Sequence, residues 1–216
     1  MLGFGGQTAL NCGVKLEEFG ILKKYGIKVL GTQVAGIQAT EDRQLFKDSM
    51  IQCGIPVLKS KTVYNFEEAK QVAKDLGYPV IIRVAYTLGG KGGGVAHNEI
   101  ELYEIVSRGL NASLVGQVLI EEYVGNWKQI EYEVMRDYSD NNIIVCNMEN
   151  VLSMRVHTGD NIVVAPSQTL DNYEYHMLRS AAIRATKHVG IVGECNIQFA
   201  LDPKSDEYVA IEINPR

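Results

Sequence analysis

Residues 196–216, NIQFALDPKSDEYVAIEINPR, read as a strand, a short polar turn and a second strand. Side chains of a strand alternate between two faces. Asn196, Gln198 and Ala200 therefore share one face of the first strand, and Glu212 and Asn214 share one face of the second. If the strands pair about Lys204 and Ser205, Gln198 lies nearly opposite Glu212. A carboxylate and two amide oxygens then converge, and Arg216 follows Asn214 by two residues. Hard oxygen ligands beside a guanidinium suit Mg²⁺ carrying nucleotide phosphates. A hairpin whose outer face is merely polar fits the same residues.

Composition narrows the class of chain. Hydrophobic residues make up 46% and charged residues 22%, as in an ordinary globular protein. A net charge of -5 gives no electrostatic reason to expect nucleic acid or an anionic membrane. No apolar run is long enough to span a bilayer, and the start, MLGFGGQTALN, lacks a signal-peptide pattern. Cys12, Cys53, Cys146 and Cys195 are widely spaced, which predicts reduced thiols in a reducing compartment and no zinc site. Glycines crowd the first residues, and Arg216 ends the chain directly after its most site-like strand. Both features suggest part of a longer polypeptide.

Along the chain, residues 8–19 read as a helix, Lys28–Leu30 as a short strand, and Val34–Ile37 as the start of another short element. Thr40 is the expected N-cap of a helix running to about Gln52, with Arg43 in its first turn. A strand signal covers Val57 to Val63. Asn65 caps a helix reaching Leu76, with Glu68 completing a capping box and Ala69, Val72, Ala73 and Leu76 forming its apolar stripe. Further strands are expected at Tyr78–Val84, Val118–Glu122, Gln129–Arg136 and Asn142–Met148, and further helices at Leu102–Leu110 and after Asp171. The order lacks a regular βαβ repeat. It predicts two α+β lobes with a cleft between them.

Several residues carry possible chemistry. Arg83 ends an otherwise apolar strand, so it either emerges onto an anion or pairs with a carboxylate. Gly89-Gly-Lys-Gly-Gly-Gly94 follows, a loop whose backbone N–H groups can approach phosphate closely. It lacks the GKS or GKT ending of a Walker A loop. One of Glu121 and Glu122 can accept from an adenine amino group or a ribose hydroxyl. Glu131 and Glu133 share a strand face, where they either hold a cation or meet solvent. His157, Thr158 and Asp160 can line a cleft as a polar turn. Arg43 at a helix start either binds phosphate or forms a salt bridge. With no GxSxG, no HExxH and no Cys–His pair, the chemistry suggested is phosphoryl transfer.

Taken in order, Gly5-Gly-Gln-Thr-Ala-Leu-Asn11, Thr40-Glu-Asp-Arg43, Ile82-Arg83 with Gly89-Gly90, Glu149-Asn150, His157-Thr-Gly-Asp160, Val164-Ala-Pro166 with Gln168-Thr-Leu170, and Glu212-Ile-Asn-Pro-Arg216 strongly resemble the large chain of the carbamoyl phosphate synthetases. The resemblance covers essentially the whole chain, and GGQTALN looks like the amino-terminal of that family's two synthetase halves. Gly190–Gln198 looks more like eukaryotic or multifunctional members.

The resemblance implies an α+β (α/β) ATP-grasp fold, with two lobes around a nucleotide cleft. Residues 1–38 would end a Rossmann-like pre-ATP-grasp domain, and residues 39–216 would form an ATP-grasp domain truncated at its C-terminal end. It implies ATP-dependent phosphorylation of bicarbonate to carboxyphosphate, with ATP and two Mg²⁺ or Mn²⁺ ions. By motif, Arg43, Arg83, Gly89 and Gly90 would contact phosphates, and Glu122 and Val124 would hold the adenine end. Gln129 stands where a ribose-binding glutamate is usual. Arg155, Val156 and His157 would lie against the nucleotide, with Arg155 in place of a usual glycine. Gln198, Glu212 and Asn214 would bind metal, and Arg216 would steady the bicarbonate-derived phosphate. Implied partners are bicarbonate, ammonia, the remaining synthetase domains and a glutamine amidotransferase, but no nucleic acid or membrane. The implied location is the cytoplasm, or the mitochondrial matrix for a urea-cycle-type enzyme. Two alternatives are a biotin carboxylase-like ATP-grasp enzyme and a non-catalytic nucleotide-binding fragment.

Overall fold

The computed structural model describes residues 1–84, 93–113, 116–154 and 161–216. After a 3-10 turn at Gly3–Gly5 come helices α1 (Gly6–Glu18), α2 (Ile21–Lys24), α3 (Val34–Glu41) and α4 (Arg43–Gln52). Strand β1 (Ser60–Val63), helix α5 (Phe66–Leu76), strands β2 (Val80–Val84) and β3 (Gly94–Ala96), helix α6 (Glu99–Ala112) and strand β4 (Val118–Glu122) follow. The remainder is β5 (Lys128–Arg136), β6 (Asn142–Asn150), β7 (Val163–Val164), α7 (Asn172–Val189), β8 (Gly193–Leu201) and β9 (Tyr208–Pro215).

These elements form two compact units. Leu58–Val124 is one; Met1–Val57 with Gly125–Arg216 is the other. The first holds an antiparallel sheet in the order β1-β4-β2-β3. Its core is built from Val63, Val80, Ile82, Val118 and Ile120 of the strands against Ala69, Val72 and Ala73 of α5 and Leu102 and Val106 of α6. The second unit holds an antiparallel sheet in the order β7-β6-β5-β8-β9. One face of that sheet packs Ile130, Tyr132, Val134, Ile197 and Phe199 against α4 and α7.

Local sequence explains most boundaries. Asp171 and Glu174 form a reciprocal capping box that starts α7, and Leu178, Ala181, Ala182 and Ala185 are its buried stripe. Asn65 accepts from Glu68 N as predicted, but Glu68 reaches back to Tyr64 N and Asn65 Nδ2, so only half of the expected box forms. Gly77, at φ +82, ends α5 in a conformation costly for residues with a Cβ.

Four expectations need correction. Lys28–Leu30 is not a strand, because no described strand borders it to complete a ladder. Thr40 is not the cap of α4: it lies inside α3 and bonds back to Ile37 O, whereas Asp42 accepts from Gln44 N and Leu45 N. The strand expected from Val57 begins at Ser60, and Val57 makes an isolated parallel bridge to Ala210. Helix α6 starts at Glu99, earlier than expected, because Asn98 caps it through Glu101 N.

Candidate nucleotide and metal site

The inner strands of the second unit turn one face to the helices and a polar face away from them. Register places three rungs across β5, β8 and β9 on the polar face. The first rung is Glu131, Gln198 and Glu212; the second is Glu133, Asn196 and Asn214. In the third, Met135 pairs with Glu194, whose carbonyl accepts from Arg216 N at 2.9 Å. The predicted opposition of Gln198 and Glu212 is therefore present.

A β-bulge makes this possible. Gln198 pairs with Glu212 while the adjacent Phe199 pairs with Ala210, leaving Ile211 as the extra residue. In an unbroken period of two, Ala210 and Glu212 would share a face. The bulge keeps Ala210 in the core and turns Glu212 outward.

Asn214 Nδ2 donates to Glu212 Oε1 at 2.9 Å, which fixes the amide and leaves its oxygen as an acceptor. Gln129 Nε2 donates to Gln198 Oε1 at 3.4 Å, and both residues are buried. Beneath them, Glu131 accepts from Asn150 Nδ2 at 2.7 Å and from Asn196 Nδ2 at 2.9 Å. Asn196 Nδ2 also reaches Glu133 Oε1 at 2.9 Å. The Oδ1 atoms of Asn150 and Asn196 are buried without a hydrogen-bond partner. One carboxylate and two amide oxygens, on a face carrying further carboxylates, match the donor chemistry of a hard divalent cation. Among the described residues no three His, Cys, Asp or Glu side chains cluster for a metal.

Glu194 lies at the end of this face. Burial and a hydrogen bond to the Glu133 carboxyl push its pKa up to about 8, against the opposing pull of the Arg216 charge. Burial raises the Cys146 thiol, and Glu133 and Glu194 add to the effect. Glu149 is 9% exposed and accepts from Gln168 N and Thr169 N at 2.9 and 3.0 Å and from the Thr169 hydroxyl. It thereby binds the 167–169 segment to the sheet. Reading the sequence residue by residue missed the roles of Asn150, Asn196 and Glu149. Their side chains act across strands, and no spacing rule on one strand reports that.

In the other unit, Arg83 Nε donates to Glu121 Oε2 at 2.7 Å, so the carboxylate contact its position allowed is present. Glu122 Oε2 accepts from Lys59 N at 3.3 Å, and Val124 is buried. Arg43 is the exposed first residue of α4. Gly89, Gly90, Arg155, Val156 and His157 lie outside the described residues. The structure thus brings Gln129, Gln198, Glu212, Asn214 and Arg216 onto one face, while Arg83, Glu122 and Val124 belong to the separate unit.

The profile described as "Carbamoyl-phosphate synthase L chain, ATP binding domain" matches residues 42–216, most of the chain. The chain belongs to this family. A second profile, "Carbamoyl phosphate synthase preATP-grasp domain", matches residues 1–39. The carbamoyl phosphate synthase large chain of Thermoanaerobacter pseudethanolicus is 59% identical over 212 residues, covering 98% of this chain and 20% of the relative. That of Clostridium botulinum strain Langeland is 56% identical over 216 residues, covering 100% and 20%. The chain therefore spans about one fifth of the length of these curated relatives. Both relatives are bacterial.

This chain shares its fold with biotin carboxylases. A biotin carboxylase–βγ-ATP complex from Campylobacter jejuni superposes with a TM-score of 0.77 at 27% identity, covering 94% of this chain and 46% of that one. The biotin carboxylase domain of Hydrogenobacter thermophilus 2-oxoglutarate carboxylase, in complex with MgADP, ADP and bicarbonate, gives 0.74 at 26% identity, covering 94% and 46%. The fold is of the ATP-grasp type, with a pre-ATP-grasp segment at the N-terminus. Among the described residues no helix is long and apolar enough to cross a membrane.

Proposed function

We propose that this chain carries the ATP site that phosphorylates bicarbonate to carboxyphosphate, the first step of carbamoyl phosphate synthesis. The observation that carries the reading is the register of Gln198 against Glu212, with Asn214 and Arg216 continuing the same face. Gln198, Glu212 and Asn214 hold two Mg²⁺ or Mn²⁺ ions, which neutralise phosphate charge when bound. Arg43, Arg83, Gly89 and Gly90 bind the nucleotide phosphates. Glu122 and Val124 take the adenine end, Gln129 faces the ribose, and Arg155, Val156 and His157 line the nucleotide. Arg216 holds the anionic substrate in line with the terminal phosphate, so that its oxygen attacks phosphorus with little motion.

The domain division accompanying this reading is a pre-ATP-grasp end at residues 1–38 and an ATP-grasp domain from 39. Ammonia, released by a glutamine amidotransferase subunit or domain, then converts carboxyphosphate to carbamate. The remaining synthetase domains complete the product in the cytoplasm.

A bicarbonate-dependent ATP cleavage assay on the full-length protein tests the reading, with Glu212→Ala alongside. Cleavage that requires Mg²⁺ and bicarbonate and is lost in the variant supports it. Cleavage that also requires biotin would instead favour the carboxylase-like reading, which the structural neighbours bring into consideration. Nucleotide binding without any turnover would identify a non-catalytic copy.

A further inference from the structure

In β2 and β4, Val80, Ile82, Val118 and Ile120 turn inward to the core they share with α5 and α6. Strand alternation puts Ile81, Arg83, Leu119 and Glu121 on the opposite face. Register sets Arg83 against Leu119 and Glu121 against Ile81, so the two charged residues are diagonal neighbours on adjacent strands. Long side chains can span such a diagonal. Arg83 and Glu121 do so, Nε donating to Oε2 at 2.7 Å.

The edge of the guanidinium that is used matters. An arginine fork meets oxyanions along two edges, one formed by Nε with an Nη and the other by both Nη groups. A carboxylate at Nε fixes the plane of the group and leaves the Nη1–Nη2 edge for a second anion. The partners also differ in exposure: the Glu121 side chain is 13% exposed and that of Arg83 43%. The carboxylate is the sheltered member, and the guanidinium is the one that reaches solvent. A pair this exposed contributes little to folding, so its loss should leave the unit folded.

We propose that Glu121 is a positioning residue, holding Arg83 by Nε so that the Nη1–Nη2 edge is presented to a nucleotide phosphate. The proposal rests on the assignment of Arg83 to the ATP phosphates. Adjacent glutamates then divide the work. Glu122, on the other face of β4 by alternation, accepts from Lys59 N and serves the adenine end, while Glu121 serves the phosphate end. Two opposing effects set the size of the outcome. Fixing a long side chain before the ligand arrives removes an ordering cost from binding. A carboxylate near phosphate repels it, but solvent and salt screen that repulsion at an exposed pair. The ordering gain wins, and removing the carboxylate should weaken nucleotide binding about three- to tenfold.

The test uses the full-length protein with Glu121→Ala, Glu121→Gln, Arg83→Ala and the double variant Glu121→Ala with Arg83→Ala. A fluorescent ATP analogue is titrated in the presence of Mg²⁺, and the binding component that Arg83→Ala weakens is followed. Glu121→Ala should weaken that component about three- to tenfold. Glu121→Gln keeps an acceptor for Nε and should stay within about twofold of wild type. The double variant should bind no more weakly than Arg83→Ala alone. Glu121→Leu, which fills the same place without an acceptor, should match Glu121→Ala and separates a lost hydrogen bond from a packing defect. In bicarbonate-dependent ATP cleavage the KM for ATP should rise by the same factor in Glu121→Ala, with kcat little changed. Tighter binding in Glu121→Ala would make the carboxylate a competitor of phosphate and overturn the proposal. So would equal losses in Glu121→Ala and Glu121→Gln, or losses that multiply in the double variant, since Glu121 would then act without Arg83. A titration with no component weakened by Arg83→Ala overturns the assignment of Arg83 and this proposal with it. Absence of bicarbonate-dependent cleavage overturns the proposed reaction alone, and the titration then decides the role of Glu121.

Discussion

Gln129 shows how much one atom type can decide. Its Nε2 donates to Gln198 Oε1, an oxygen proposed to face metal. Gln129→Glu would set two acceptors against each other in a buried place, a change costing about 1–3 kcal/mol when a polar group is left unpaired. A divalent cation between them would remove the conflict. The variant should therefore melt lower than wild type without Mg²⁺ and recover more than wild type when Mg²⁺ is added; equal Mg²⁺ shifts in thermal denaturation would contradict the assignment. Glu194 offers a second check that needs no activity. Its folded pKa is raised, so the folded state keeps a proton that the unfolded chain releases from about pH 4.5 upward. Stability contributed at this residue thus falls as pH rises from that value to about 8 and stays low above it. Glu194→Gln should gain stability relative to wild type across that window, seen as a difference in melting temperature that is small at pH 5 and largest at pH 9.

Among the elements, helix starts were the most legible in the sequence, because a cap and its partner are three residues apart and need nothing distant. Asp171 with Glu174 is such a pair, and Asp171→Ala should cost about 1 kcal/mol in chemical denaturation. The same logic misled at Thr40, where Asp42 offers a stronger acceptor two residues on, and Asn98 with Glu101 carried the same signal unread. Strands were less legible, since a strand exists only beside another. Lys28–Leu30 had the right residues and no strand beside it among the described residues. The polar face was legible in outline because Gln198, Glu212 and Asn214 obey the period of two, but the bulge at Ile211 that aligns them depends on which residue of β8 each meets. Deleting Ile211 should move Ala210 outward or Glu212 inward. Either shift should abolish Mg²⁺-dependent nucleotide binding in calorimetry, and binding retained at wild-type strength would show the bulge to be dispensable.

For the whole molecule, two separate hydrophobic cores predict two separable responses to damage. Leu102 is fully buried in the core of Leu58–Val124, whereas Phe199 is fully buried in that of the other unit. Leu102→Ala removes apolar contacts and leaves a cavity, with an expected cost of about 2–5 kcal/mol; Phe199→Ala should cost about 3–5 kcal/mol. Each loss falls first on the contacts of its own core, because local opening follows cooperative units rather than the chain as a whole. Hydrogen exchange read by mass spectrometry should therefore accelerate mainly in β1, β2, β4, α5 and α6 for Leu102→Ala. For Phe199→Ala the faster exchange should appear in β5, β8, β9 and α7, and with it the polar face that carries Gln198, Glu212 and Asn214. Mg²⁺-dependent binding should then weaken in the second variant even though Phe199 points away from that face, since β8 carries both sides of the sheet on one backbone. Uniform acceleration across both units in either variant would mean that they open as one cooperative body, and the separation of the cores would then carry no thermodynamic weight.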